Sequence, residues 1–431
     1  MESLFFEFTE IARKIVRRRW RELGILLGLY FIWSKLAGVV GGNFAFIVLL
    51  LLVALALAIR PVRARIFAYF KAQRLRTLFA RAISRDPVFE DRSPQILKVE
   101  NREHSSDLTV RLQPGTTANA LEKLREDIAV NLRLGNVRVI RDNADASIVH
   151  VKLVRGAPLS GRILFWSDDA TGVTSLWNPI SVGVDEDGES VSLYLPENNL
   201  IAGGEPGAGK SVFLVVLLNA ILRDPSVKLF IFDGKHLDLV AYARVSDGFV
   251  GCDIELANEQ LNQILAMMDE RYARLRELGL KKVNRDCGLG LVVTIIDELP
   301  YYVSSGKQGK EFAEKLRDLL ARGRAAGMIV ILTAQKPSSD TVPTAIRDLV
   351  SLRVAFRCGA REASESILGQ GWSSQGYSAS SIPLSDRGVG YFLGDAGFPQ
   401  LFRSYFVNAD TEARVINVAS KIRPLEAGDD A

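Results

Sequence analysis

Cysteine is nearly absent: Cys252, Cys287 and Cys358 are the only three in 431 residues, and no two of them form a CxxC pair. An odd, scattered set excludes a disulfide framework and a zinc ribbon, and it suits a catalytic part kept in a reducing compartment. Histidine is as scarce. His104, His150 and His236 lie far apart in the chain, leaving no material for a histidine-built metal site or a Ser-His-Asp triad. An excess of one charge is missing too: 54 lysines and arginines against 50 acidic residues give a net charge of +4. That is too small to mark the whole chain as a nucleic-acid binder, so any basic surface has to be local. Repeats and low-complexity tracts are lacking, and a composition that is 48% hydrophobic excludes a disordered chain. The length allows a sizeable enzymatic core with one or two smaller modules.

What the sequence does have, near its start, is two long apolar runs, Leu23–Val40 and Phe44–Ile59. Each approaches the roughly 20 residues that a helix needs to cross a bilayer. Gly41, Gly42 and Asn43 leave room only for a tight turn, so residues 23–60 read as a transmembrane helical hairpin. Arg13, Lys14, Arg17, Arg18 and Arg19 precede it, and Arg60, Arg63 and Arg65 follow it. The positive-inside rule then places the basic N-terminus, residues 1–22, and everything after the hairpin in the cytoplasm, at the inner face of the cell membrane. A cleaved signal peptide is the competing reading, but no small-residue cleavage site follows the first run, and the second run is the more hydrophobic. Lys35, near one end of the first run, can snorkel to the interface. Residues 61–90 mix arginines with Ile66, Phe67, Phe70, Leu75, Leu78 and Phe79, which predicts a basic amphipathic juxtamembrane helix and a linker. Attachment to anionic headgroups suits that helix, with DNA contact as the alternative.

Asp86-Pro87 and Ser93-Pro94 mark the linker. Residues 91–180 alternate strand-like runs (Leu108–Leu112, Val137–Ile140, Ser147–Val154) with one helix-like run, Asn119–Leu132, and read as a small α/β module. From residue 181 to 410 short apolar strands (Leu200–Ala202, Val227–Phe232, Leu291–Ile296, Met328–Thr333) alternate with helices. That order predicts an α/β fold with a mostly parallel sheet covered on both faces. Residues 411–431 are left as a short C-terminal helix and tail.

The chemistry sits in that larger part. Gly204-Glu205-Pro206-Gly207-Ala208-Gly209-Lys210-Ser211 satisfies G-x-x-x-x-G-K-[ST], between a strand and the helical run that starts at Val212. The glycines let the loop curl so that backbone N–H groups face phosphate oxygens, Lys210 brings a cation to the β/γ phosphates, and Ser211 offers a hydroxyl to Mg²⁺. Residues 204–212 are therefore the expected ATP cradle. The strand Leu291–Ile296 ends in Asp297-Glu298. Asp297 can orient Mg²⁺ and Glu298 can act as general base toward the attacking water. At the end of the next strand Gln335 is a candidate γ-phosphate sensor, and upstream of that strand Arg322 and Arg324 are candidate arginine fingers.

Together with these motifs, Phe232-Asp233-Gly234-Lys235, the stretch MMDERYARLRELGLKKVN (267–284), residues 321–358, Ser364–Gly371 and Arg387–Phe392 resemble the FtsK/SpoIIIE family of DNA translocases from about Pro179 to Asp410. The resemblance implies a RecA-like P-loop NTPase in a hexameric ring that threads double-stranded DNA, with ATP sites at subunit junctions. The division proteins of that family have more membrane spans, a long linker and a C-terminal winged-helix domain. The compact plan here, and the E-P-G-A filling of the phosphate loop, look more like the Tra double-stranded DNA transfer proteins of actinobacterial conjugative plasmids. Conjugative transfer or chromosome segregation is the implied process, with further transfer proteins as possible partners. Two other readings share the same nucleotide chemistry: a protein-secretion ATPase of the type VII kind and a single-stranded DNA coupling ATPase of type IV systems. A nucleotide-gated membrane scaffold without turnover is a different class, against which the intact Lys210, Asp297 and Glu298 argue.

Overall fold

The computed structural model describes residues 60–423, apart from residues 143, 162, 167–171, 236–237, 336–341 and 395–396. The expected hairpin of residues 23–60 falls outside this range, except for Arg60, which starts helix α1 (Arg60–Ile83). Among the described residues no helix is long and apolar enough to cross a membrane. Helix α1 crosses the boundary between two compact units, Met1–Phe79 and Ala80–Ala431, and both sheets belong to the second.

The smaller sheet is antiparallel throughout. It contains β1 (Gln95–Asn101), β2 (Ser105–Arg111), β3 (Asn136–Arg141) and β4 (Ile148–Val154) in the order β1-β2-β4-β3. The single helix expected at Asn119–Leu132 is two: α2 (Ala118–Lys123), capped by the Thr117 hydroxyl, and α3 (Arg125–Leu132). Leu124, at φ −84° and ψ 2°, breaks the run, and on either side of the break Leu121 and Ile128 are fully buried.

The larger sheet has ten strands. Six of them are parallel, as the alternating pattern predicts: β12 (Leu352–Phe356), β7 (Leu200–Gly203), β11 (Met328–Ala334), β10 (Val292–Asp297), β8 (Lys228–Asp233) and β9 (Gly248–Val250), in that spatial order. Each of β7, β10 and β11 is buried at every position, because helices cover both faces. On the β12 edge the sheet continues antiparallel through β13 (Val389–Leu393), β14 (Gln400–Ser404), β5 (Ile180–Asp185) and β6 (Ser190–Leu193). These four strands were not expected; their short runs, two of them interrupted by a glycine, carry no distinctive period.

The helices that matter for the site are α4 (Lys210–Leu222), α5 (Ile254–Leu278), α6 (Leu299–Val303) and α7 (Gly306–Arg322). Two short helices follow, α8 (Thr344–Arg347) and α9 (Arg361–Leu368), and α10 (Ala409–Ile422) ends the described chain. Helix α4 is so apolar that seven of its hydrophobic side chains are buried, Phe213, Leu214, Val216, Leu217, Leu218, Ile221 and Leu222. It lies between the sheet and α10, whose Val415, Ile416 and Ala419 enter the same core. The expected boundary after residue 410 thus falls inside the first turn of a helix that packs on the larger sheet's layer.

Of the ion pairs that join the two sheets, that of Arg138 and Glu186 is the most buried. Arg138 on β3 donates from both terminal nitrogens to the Glu186 carboxylate, at 2.6 and 2.9 Å, just beyond β5. Both side chains are at most 4% exposed, and the guanidinium lies 5.6 and 5.8 Å from the ring centres of Tyr377 and Tyr391. Removing one partner of such a pair strands a buried charge. Glu186→Ala should therefore cost about 3–5 kcal/mol of stability, seen as an earlier urea midpoint. The Arg138→Met/Glu186→Leu double variant should recover most of that loss.

Candidate nucleotide site

The site lies where β7, β10 and β11 end, and the strand order builds it. Strand β11 sits between β7 and β10, so the loop leaving β7 and the acids ending β10 flank the end of β11. The loop leaves β7 at Gly203 and enters α4 at Lys210. Gly207 and Gly209 have φ values of 73° and 116°, which only glycine adopts without strain. Gly209 has a second reason to lack a side chain: a Cβ there would stand 2.6 Å from the Cα of Gly388. The Gly388 N–H in turn donates to the Ala208 carbonyl at 2.8 Å. The first turn of α4 carries no acidic residue, so its N-terminal N–H groups and dipole are left for an anion.

Lys210 is 4% exposed, and its Nζ stands 3.8 Å from Asp297 Oδ1 and 3.7 Å from Glu298 Oε2. Neither contact is a hydrogen bond; the ammonium is buried with no hydrogen-bond partner. Burial, only partly offset by Asp297 and reinforced by the nearby Lys235, holds its pKa below the ordinary lysine value. Asp297 Oδ2 is likewise buried without a hydrogen bond. A cation and a carboxylate oxygen left without hydrogen bonds beside a curled glycine loop fit a triphosphate and its Mg²⁺. Among the described residues no cluster of three or more His, Cys, Asp or Glu could hold a metal. A Mg²⁺ held by Ser211, Asp297 and phosphate oxygens needs none.

The two acids are fixed by β11. Thr333 Oγ1 donates to Asp297 Oδ1 and accepts from the Glu298 N–H at 3.1 Å. Glu298 is one of three non-glycine residues with positive φ among those described, at φ 58° and ψ 58°. That conformation costs about 1–3 kcal/mol and persists only where the surroundings over-determine it. Here they do, because the Gln335 N–H also donates to both Glu298 carboxylate oxygens, at 3.3 Å each. What Gln335 gives Glu298 is its backbone.

Two residues of the site were not foreseen as such. Lys235 reaches Asp297 Oδ2 at 3.3 Å and Glu298 Oε2 at 3.9 Å, giving the pair of acids a second cation. Burial works against its charge, but Asp297, Asp238 and Glu298 together hold its pKa above the ordinary value. The other is Asp238, which accepts from the Ser211 hydroxyl at 3.2 Å. A cavity of about 410 Å³ opens over the loop, with Glu205, Pro206, Gly207, Lys210, Ser211 and Val212 on one side. Ile163, Leu164, Tyr405 and Phe406 face them.

Arg322 and Arg324 are not brought to this site. Helix α7 carries them away from the end of β10 to the start of β11, at the opposite edge of the parallel strands. Both are exposed, and Arg322 is held by Asp318 (2.6 and 2.5 Å) and Asp269 (3.1 Å).

Residues 169–373 match the model of the FtsK/SpoIIIE family. The chain carries an FtsK/SpoIIIE domain. The curated proteins similar to it include the DNA translocase FtsK of Streptococcus pyogenes, 25% identical over 347 residues, covering 74% of this chain and 42% of that protein. The DNA translocase FtsK of Corynebacterium glutamicum is 24% identical over 351 residues, covering 74% and 37%. The chain thus spans about two fifths of the length of these relatives. Among solved structures, the conjugation coupling protein TcpA of pCW3, determined with ATPγS, superposes with a TM-score of 0.54 at 18% identity, over 79% of this chain and 98% of that one. ATPases 2 and 3 of EssC from Geobacillus thermodenitrificans give 0.51 at 15% identity, over 60% and 51%. At such identities these structures share the fold with this FtsK/SpoIIIE domain.

Thr333 is the spacer on which both acids depend. Thr333→Val keeps the shape but leaves the Glu298 N–H without its acceptor, so the domain should lose about 1–3 kcal/mol; Thr333→Ser should lose less. Denaturant unfolding of the two variants checks the difference.

Proposed function

We propose that this chain is a membrane-anchored, ATP-driven motor that moves double-stranded DNA, in conjugative transfer or chromosome segregation. The observation that carries the nucleotide part is the buried Lys210 ammonium, without a hydrogen bond beside a glycine loop and within 4 Å of two carboxylates. In this reading Lys210 and the N–H groups of residues 207–212 hold the β and γ phosphates. Ser211 and Asp297 hold Mg²⁺, which neutralises phosphate charge when bound. Glu298 orients water and accepts its proton, and Lys235 places a second cation beside both acids. The left-handed backbone at Glu298 aims its carboxylate toward the loop without help from a substrate.

Support for DNA as the moved polymer comes from relatives named DNA translocase FtsK and from the fold shared with TcpA, a conjugation coupling protein. The two apolar runs before residue 60, flanked by arginines, support the anchor in the cell membrane. The placement of Arg322 and Arg324 supports an assembly of several copies, six being the number that the family resemblance implies. The two arginines sit at the sheet edge opposite their own Lys210, so an arginine from this segment reaches a γ-phosphate only on a neighbouring copy. A protein-secretion ATPase is the second reading, since it would use the same nucleotide chemistry.

Lys210→Ala should abolish ATP hydrolysis. Glu298→Gln should keep ATP binding and slow turnover by about 10²-fold or more, the usual worth of a general base. Normal duplex-stimulated turnover in the Glu298→Gln protein refutes the base assignment. Duplex DNA should stimulate the wild type and displace a triplex-forming oligonucleotide; stimulation by neither duplex nor single strands turns the reading toward secretion. DNA affinity should fall steeply with salt, because a translocating pore grips phosphates rather than base edges.

A further inference from the structure

The phosphate loop contains a carboxylate. Glu205 follows the first glycine of the loop and lines the same cavity as Lys210 and Ser211. A negative charge in a cradle for a triphosphate opposes binding by simple Coulomb repulsion. The chain answers it from 152 residues away. Arg357, just after β12, places Nη1 2.5 Å from Glu205 Oε2, with the two side chains only 18% and 28% exposed. The Glu205 N–H also donates to the Arg357 carbonyl at 2.9 Å, so the backbone of the loop is tied to the same residue. The carboxylate occupies space left by a glycine: a Cβ at Gly359 would stand 2.1 Å from Glu205 Oε1.

We propose that Arg357 is a positioning residue which neutralises Glu205 and holds it against the end of β12, so that a phosphate loop bearing its own carboxylate still accepts a triphosphate. The proposal rests on the ATP reading above. A purely structural pair would affect every ligand of the cavity equally. A charge-balancing pair affects ligands in proportion to their phosphate charge, and that difference is measurable.

The test is equilibrium binding of MgATP, MgADP and adenosine to the full chain and its variants. Arg357→Met should weaken MgATP about tenfold, MgADP less, and adenosine not at all. Glu205→Gln/Arg357→Met should return MgATP affinity to within about threefold of the wild type, since the unpaired carboxylate is gone. Glu205→Gln alone frees the Arg357 cation beside the phosphates and should tighten MgATP by about threefold or more. This arm stands even where Arg357→Met fails to fold. A double variant as weak as Arg357→Met, an equal loss for adenosine, or no gain in Glu205→Gln overturns the proposal while wild-type binding stays intact. A wild-type chain that binds no nucleotide sinks the ATP reading and this proposal with it.

Discussion

A lysine ammonium with 4% exposure and no hydrogen bond is the constraint around which the larger sheet is organised. Burying a charge without a hydrogen bond is expensive, and burial does depress the Lys210 pKa. The chain tolerates it because Asp297 and Glu298 stand within 4 Å, and they stand there because of strand order. With β11 interposed between β7 and β10, the lysine's loop and the acids come from strands two places apart, and their side chains meet over the end of β11.

The interposed strand does more than lie between its neighbours. Its Thr333 hydroxyl bonds both to the Asp297 carboxylate and to the Glu298 N–H, and the Gln335 N–H holds the Glu298 carboxylate. Backbone strain at Glu298 is thereby fixed in place rather than relaxed. Lys235 approaches from the other side, off β8, so four parallel strands converge on a pair of adjacent acids.

How much of this the sequence reveals depends on how local each contact is. The glycine loop is legible because its conformation, its phosphate-facing N–H groups and its lysine all lie within eight residues. The acids are legible because an apolar strand ending in Asp-Glu is a local signal too. Lys235 was visible only as part of the Asp233–Lys235 turn, and its contact with Asp297 needs the β8–β10 pairing to be known. Glu205 with Arg357, and Arg138 with Glu186, are ion pairs across long chain separations between residues that look like ordinary surface charges. No periodicity marks such pairs. The antiparallel edge was missed for the same reason: β13 and β14 are five residues each, and short strands are indistinct without their partners.

That edge has a consequence for the loop. The phosphate cradle is usually read as a property of its own glycines, yet here two foreign segments hold it. The end of β12 binds Glu205 through side chain and backbone, and the segment entering β13 binds Ala208 through Gly388. Strand β13 then carries Tyr391 to the Arg138 guanidinium, whose carboxylate partner Glu186 follows β5. Close packing leaves little slack along such a chain of contacts. The loop's curvature is therefore set jointly by its glycines and by the antiparallel edge, and that edge ends on the most buried of the ion pairs that join the smaller sheet to the larger.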